Sequence, residues 1–266
     1  MNEYKIEAGT AQHIGNRAQQ TDRTALFTGA RAPGYVLAVL ADGMTGGASA
    51  SEQVLQSAKQ MFDEFKPGDR ASTERLSQLL RDMVQETHSI IRMNTFTTKT
   101  EAQSSFVALV ISPFGEAVWA HTGDSRLYRF AGGQCKARTS DEAYVNHLVE
   151  AEKMPLEAAK NHRRAKTLVN ALGNAERKPF ATVGVHGELA AGDTFLLCSD
   201  GLWSLFTDAE LGAVTAKNTP RQASELLINK AAERAQGKGD NCTMAIVKLV
   251  RPPAPAGLGT RPAARP

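Results

Sequence analysis

The chain has 266 residues, 42% hydrophobic and 22% charged, with a formal net charge of +3 at pH 7. That is enough chain for one large domain, or two small ones, with a sizeable core, and too little positive charge to point to a nucleic-acid or membrane-surface partner. No apolar run approaches the ~20 residues of a membrane-spanning helix, and the polar start Met1-Asn2-Glu3-Tyr4-Lys5 does not read as a signal peptide. Cys135, Cys198 and Cys242 form neither a Cys-x-x-Cys pair nor a disulfide framework, so the reducing cytoplasm is the expected compartment.

Residues 4–13 and 23–28 read as short strands, joined by the polar stretch Gly15 to Asp22. A third strand, 35–41, is a continuous apolar run that stops at Asp42-Gly43. Two long helices follow. Val54, Leu55, Ala58, Met61, Phe62 and Phe65 keep helical spacing in the first, which Lys66-Pro67-Gly68 ends; Leu76, Leu79, Leu80, Met83, Val84, Ile90 and Ile91 do so in the second. The threonine-rich stretch Asn94–Gln103 reads as a loop.

An antiparallel meander comes next: 105–111, 117–121 and 126–130, punctuated by Pro113-Phe114-Gly115, Gly123-Asp124 and Ala131-Gly132-Gly133. Residues 141–171 are charged, alanine-rich and interrupted by Pro155, which predicts a mobile, solvent-facing segment with Arg163, Arg164 and Lys166 on a solvated helix face. Strands return at 181–186 and 193–198, helices near 207–215 and 219–235, and a last strand over 242–249 that alternates apolar with polar. The proline-, glycine- and alanine-rich tail, 251–266, reads as disordered and outside the fold. Strands and helices arrive in blocks, so an α+β sandwich is expected rather than a doubly wound sheet.

Acids recur at the same punctuation. Asp42-Gly43 follows Val39-Leu40-Ala41, Gly123-Asp124 lies between two strands, and Asp200-Gly201 follows Phe195 to Ser199. Asp240-Asn241 opens the last strand, and Asp22 stands at another strand start. One such acid is a turn residue. Several at one sheet edge repel each other unless a cation neutralises them, and an all-oxygen set selects hard ions such as Mg²⁺ or Mn²⁺. Nothing suits zinc, and neither a Gly-x-Ser-x-Gly elbow nor a phosphate loop is present. His121, alone on its strand near Asp124, reads as structural.

These motifs, in this order, resemble the metal-dependent protein phosphatases, the type 2C serine/threonine phosphatases, in their bacterial form. The match runs from about residue 8 to 249 through Arg17 to Asp22, Asp42 to Gly47, Gly123-Asp124-Ser125-Arg126, Ser199-Asp200-Gly201-Leu202 and Asp240-Asn241. The resemblance implies a four-layer αββα sandwich, two antiparallel β-sheets flanked by helix layers, occupying residues 1–250. It implies a hydrolase for phosphoserine and phosphothreonine that attacks with a hydroxide bridging two Mn²⁺ or Mg²⁺ ions. Asp42 would bridge the ions and the Gly43 carbonyl would join one. Asp200 and Asp240 would complete the other, and Asp124 would help hold a weaker third. Arg17 would grip the phosphate, Asp22 would support the metal-bound waters, and 141–171 would be the flap beside the cleft. The implied partners are phosphoproteins of a bacterial serine/threonine kinase, met by a monomer, with no nucleic acid and no membrane.

Three positions depart from the family pattern. Thr21 stands where a glutamate is usual, Thr45 where a glycine is common, and Glu142 where a histidine is common. Met44 is the usual bacterial residue, so a water is expected to protonate the leaving group. Thr21 removes a negative charge beside the metals and predicts weak affinity for one of them. The other readings are a catalytically weak relative serving as a regulatory binding module, and a phosphatase for small phosphoesters.

Overall fold

A computed structural model describes residues 4–46, 48–142, 149, 152–160 and 168–252. Most of the tail expected to be disordered, and the trio Arg163, Arg164 and Lys166, lie outside the described residues, as does much of the expected flap.

Twelve strands are described: β1 Lys5–His13, β2 Arg23–Gly29, β3 Ala32–Ala41, β4 Gly43–Thr45, β5 Gln103–Ser104, β6 Phe106–Ile111, β7 Ala117–Thr122, β8 Arg126–Ala131, β9 Gln134–Arg138, β10 Thr182–His186, β11 Thr194–Cys198 and β12 Cys242–Val250. The helices are α1 Ser49–Glu64, α2 Thr73–Thr98, α3 Leu156–Lys160, α4 Asp200–Trp203, α5 Asp208–Lys217 and α6 Pro220–Ala235. One five-stranded sheet runs β1-β12-β11-β8-β9 and a second β10-β7-β6-β3-β2, with every paired neighbour antiparallel; β4 and β5 form a separate pair.

Side-chain alternation along the strands builds the layers. Ala38 and Leu40 of β3, Val107, Leu109 and Ile111 of β6, and Phe195, Leu197, Ala245 and Val247 of the other sheet form the core between the two sheets. Their neighbours point outward: Leu37, Val39, Ala108 and Val110 meet Val54, Phe62, Leu80 and Met83 of α1 and α2. On the far side Tyr128, Leu196, Met244 and Ile246 meet Leu202, Leu211 and Leu227 from α4, α5 and α6. Each such fully buried Leu or Phe contributes about 1.5–3 kcal/mol relative to exposure. The two-sided burial explains why β3 reads as an unbroken apolar run. The expected four-layer αββα sandwich is the observed architecture.

Helix starts follow local chemistry. Thr207 and Thr219 each close a capping box, with Glu210 and Gln222 respectively, and Pro220 opens α6.

Several local expectations are corrected. Asn94–Gln103 is helical as far as Thr98, because the hydroxyls of Thr95 and Thr98 donate to the Ile91 and Asn94 carbonyls at 3.1 and 3.0 Å. That back-bonding lets threonines sit in the last turns. The final strand does not alternate between core and solvent. Cys242 to Val247 are all buried, since β12 lies between β1 and β11 with a sheet on one face and helices on the other. Ahead of the two expected helices, Asp200 opens the short additional helix α4. Among the described residues, no helix is long and apolar enough to cross a membrane.

Candidate active site

Strand register brings the acids to one end of the sandwich. β2 and β3 pair Arg23 with Ala41, so one step further Asp22 and Asp42 stand opposite each other. β8 and β11 pair Arg126 with Cys198, and two steps beyond lie Asp124 and Asp200. β1 and β12 pair His13 with Cys242 at the same end. The loop leaving β1 is tied to the segment before β12 by the Asn16 N–H donating to the Gly239 carbonyl at 2.8 Å. Gly15 makes this contact possible: it has φ +64°, and a Cβ there would lie 2.2 Å from the Asp240 carbonyl oxygen. Gly201 has the same steric role, since a Cβ on it would fall 2.0 Å from the Asn241 carbonyl oxygen.

Asp22 and Asp42 thus come from one sheet and Asp200 and Asp240 from the other. Asp124 lies on the connection from β7 to β8, where the chain crosses between them. Serines fasten this seam. The Asp42 N–H donates to Ser105 Oγ at 3.0 Å, the Ser105 N–H donates to the Asp42 carbonyl at 2.9 Å, and Ser105 Oγ shares a 2.7 Å hydrogen bond with Ser125 Oγ. Gly43 is buried and opens β4, paired with Ser104.

The acids feel one another. Burial, then the charges of Asp22, Asp200 and Asp124, holds Asp42 well above the usual carboxylate range. Burial, then Asp200 and Asp141, pushes Asp124 up to about 7. Burial also raises Asp22, against the downward pull of Ser199, Asp42 and Thr243. Asp22 is fully buried, and among the described residues neither of its carboxylate oxygens meets a donor in full hydrogen-bond geometry.

Arg17 sits on the exposed rim. Its Nε donates to Asp240 Oδ1 at 2.6 Å and a terminal nitrogen bonds Oδ2; Asp240, with smaller contributions from Asp200 and Asp42, raises its pKa. Thr21 is held by Asn241. Its N–H and hydroxyl donate to Asn241 Oδ1 at 2.6 and 2.9 Å, while Asn241 Nδ2 donates to the Ile14 and Gln19 carbonyls at 2.8 and 3.1 Å. One buried asparagine therefore shapes the loop that carries Arg17 and Asp22.

Residue pairs far apart in sequence complete the site. Trp203, at the end of α4, donates its indole N–H to the Asp124 carbonyl at 2.9 Å. The Arg126 guanidinium lies 3.5 Å over the Trp203 ring and forks onto Asp141 with two 2.7 Å hydrogen bonds. Sequence reasoning misses Trp203; its signal is a tryptophan placed directly after Ser-Asp-Gly-Leu. Glu142 joins the flap base to the site, accepting from the Gly123 N–H at 2.9 Å, Asn170 at 2.6 Å and Thr182 at 2.7 Å. His121 is buried, with Nε2 hydrogen-bonded to the Ser140 carbonyl at 2.9 Å, in keeping with a structural residue.

Among the described residues, no three His, Cys, Asp or Glu side chains stand as a ready-made metal cage. The donor chemistry nevertheless fits hard divalent cations. The acids are oxygen donors that destabilise each other's charged forms, and among the described residues both buried Asp22 oxygens lack a donor in full hydrogen-bond geometry.

No protein-family model matches the chain. Serine/threonine phosphatase Stp of Listeria innocua is 26% identical over 215 residues, covering 80% of this chain and 84% of its own. The solved serine/threonine phosphatase of S. agalactiae superposes with a TM-score of 0.81 at 26% identity, over 92% of this chain and 99% of that one. The catalytic domain of the serine threonine protein phosphatase PstP, solved with two manganese ions, gives a TM-score of 0.73 at 26% identity over 92% and 98%. The ordered motifs, the seam of acids between two antiparallel sheets and these likenesses agree: the chain is similar, over most of its length and in its fold, to bacterial serine/threonine phosphatases.

Proposed function

We propose that this chain dephosphorylates phosphoserine and phosphothreonine in proteins at the seam of acids, with Asp42, the Gly43 carbonyl, Asp124, Asp200 and Asp240 holding Mn²⁺ or Mg²⁺. Two core ions and a weaker third are expected. Bound there, the ions would supply Lewis acidity and make water a competent nucleophile at neutral pH. The observation that carries this reading is the convergence of five carboxylates from both sheets, three of them with raised pKa.

The remaining chemistry falls to the chain's own groups. Arg17, on the rim and beside Asp240, can leave its carboxylate partner and fork onto two phosphoryl oxygens. Buried Asp22 touches Asp42 and would orient water within the cluster. The cysteines are poor nucleophiles: burial pushes Cys242 up to about 12 and Cys198 well above its ordinary value, and Cys135 is also raised. Direct attack by water on phosphorus thus fits better than a phospho-cysteine. His121 is engaged by Ser140, so leaving-group protonation is assigned to water.

The proposed substrates are products of a bacterial serine/threonine kinase, and the chain is proposed to act as a cytoplasmic monomer, with residues 1–250 as the catalytic domain and 251–266 as a tail. A turnover assay on p-nitrophenyl phosphate and on phosphothreonine peptides, with and without Mn²⁺, tests the reading. Metal-dependent hydrolysis of both is expected. Metal-loaded protein that turns over neither would make the chain a binding module, and hydrolysis of the small ester alone would make it a small-phosphoester phosphatase.

A further inference from the structure

A cavity of about 840 Å³ lies beside the acid seam, where the two sheets part between edge strands β9 and β10. Trp119 and His121 line it from the face of β7 that looks toward the opposite sheet. Trp119 lies flat over β10 because residue 184 is glycine; a Cβ there would fall 2.3 Å from the indole. Phe180, 60% exposed, stands at the rim.

Charge tells which ligand suits this space. Arg177 and Lys178 line the cavity, are exposed, and have no ion-pair partner among the described residues. The two acids on the wall are already engaged: Asp141 by the Arg126 fork, Glu142 by Gly123, Asn170 and Thr182. His121 is 3% exposed, and its Nδ1 has no partner among the described residues. The free potential is therefore positive and sits over an aromatic floor. The chain's own tail is unsuited to it, since residues 251–266 contain arginines and no acid.

The backbone favours a polypeptide over a nucleotide. Among the described residues β10 pairs only with β7 and its other edge, along the cavity, has no strand partner, so an extended peptide can add its main-chain hydrogen bonds there. The cavity also adjoins the reaction centre, because Asp141 on its wall acts electrostatically on Asp124.

We propose that this cavity receives an acidic segment of the phosphoprotein substrate, laid along β10 with carboxylates on Arg177 and Lys178 and an apolar side chain over Trp119 and Phe180. It rests on the protein phosphatase reading and adds the substrate class: phosphorylated residues flanked by Asp or Glu.

The test uses the full chain with Mn²⁺ and two phosphothreonine peptides identical except for Asp/Glu or Asn/Gln flanks. Wild type is expected to show the lower KM on the acidic peptide, and the preference should shrink with rising salt. Arg177→Glu combined with Lys178→Glu should raise that KM roughly three- to tenfold, leaving the neutral peptide and p-nitrophenyl phosphate unchanged. Phe180→Ala, at an exposed site, should raise the KM of both peptides and spare the small ester. Calorimetry with an acidic peptide lacking phosphate separates this inference from the phosphatase reading. If the protein proves catalytically inert, binding of that peptide to wild type and its loss in the double variant still support the cavity. No binding, equal binding by wild type and double variant, or binding of AMP in place of the peptide overturns it.

Discussion

The Trp203 indole N–H, at the end of α4, donates to the carbonyl of Asp124, on the connection between β7 and β8 and 79 positions away in sequence. Through this bond, and through Arg126 stacked on the same ring, the helix that begins at Asp200 fixes where Asp124 stands. Trp203→Phe keeps an aromatic ring and removes the donor. The expected result is a loss of about tenfold in affinity for one divalent ion, read by calorimetry. The lost hydrogen bond is worth about 0.5–1.5 kcal/mol, so Tm should fall by only a few degrees.

Asp200→Ala should abolish Mn²⁺-dependent turnover while near- and far-UV circular dichroism stay unchanged, because the side chain lies at the mouth of α4 outside the main core clusters. Near-normal activity at saturating Mn²⁺ would remove Asp200 from the ligand set.

Stability of the metal-free protein should depend on pH with a definite sign. Asp42, Asp22 and Asp124 have folded-state pKa values above their unfolded ones. The folded chain therefore holds more protons, and stability falls as pH rises from the ordinary value of 3.8 through about 7, where Asp124 ionises. A melting series across this window should show Tm declining. Mn²⁺ added at the alkaline end should restore it, since a cation replaces the lost protons. A flat or rising series would contradict the mutual repulsion of these acids.

Arg17→Ala should raise KM for phosphoesters with a smaller effect on kcat, as expected when ground-state phosphate binding is lost. The Arg17 side chain is 60% exposed, and an ion pair at such a site is worth about 0–1 kcal/mol. Thermal denaturation should therefore hardly move; a sharp fall would make the residue structural.

Thr21→Glu exchanges the hydroxyl bond to Asn241 for a charge near Asp22, while the backbone bond to Asn241 can persist. Half-maximal Mn²⁺ should fall by about tenfold, with a small loss of Tm. Unchanged metal dependence would show that another group already supplies the missing charge.

The sequence was legible where one signal was local. An apolar run stopping at Asp42-Gly43 announced both a buried strand and the acid at its end, and glycine punctuation marked Asp124 and Asp200 in the same way. What it could not show was partnership. Thr21 looked like a missing metal-shell acid because the resembled family usually has a glutamate at that position; only register brings Asn241 to it from 220 residues away. Threonines at 95, 97 and 98 signalled a loop by propensity, but hydroxyls bonded to the preceding turn let α2 continue. Trp203 gave no periodic signal, since α4 spans a single turn.

The division of the acids between two sheets has a mechanical meaning. Asp22 and Asp42 ride on one slab and Asp200 and Asp240 on the other, with an apolar and non-directional layer between them. Such a layer resists separation of the slabs more than sliding. Cations gripped from both sides would act as rivets at the end of that layer. Occupancy of the seam would then set how firmly the halves of the molecule are registered to each other, and amide exchange at the two sets of strand ends should slow together when it is filled.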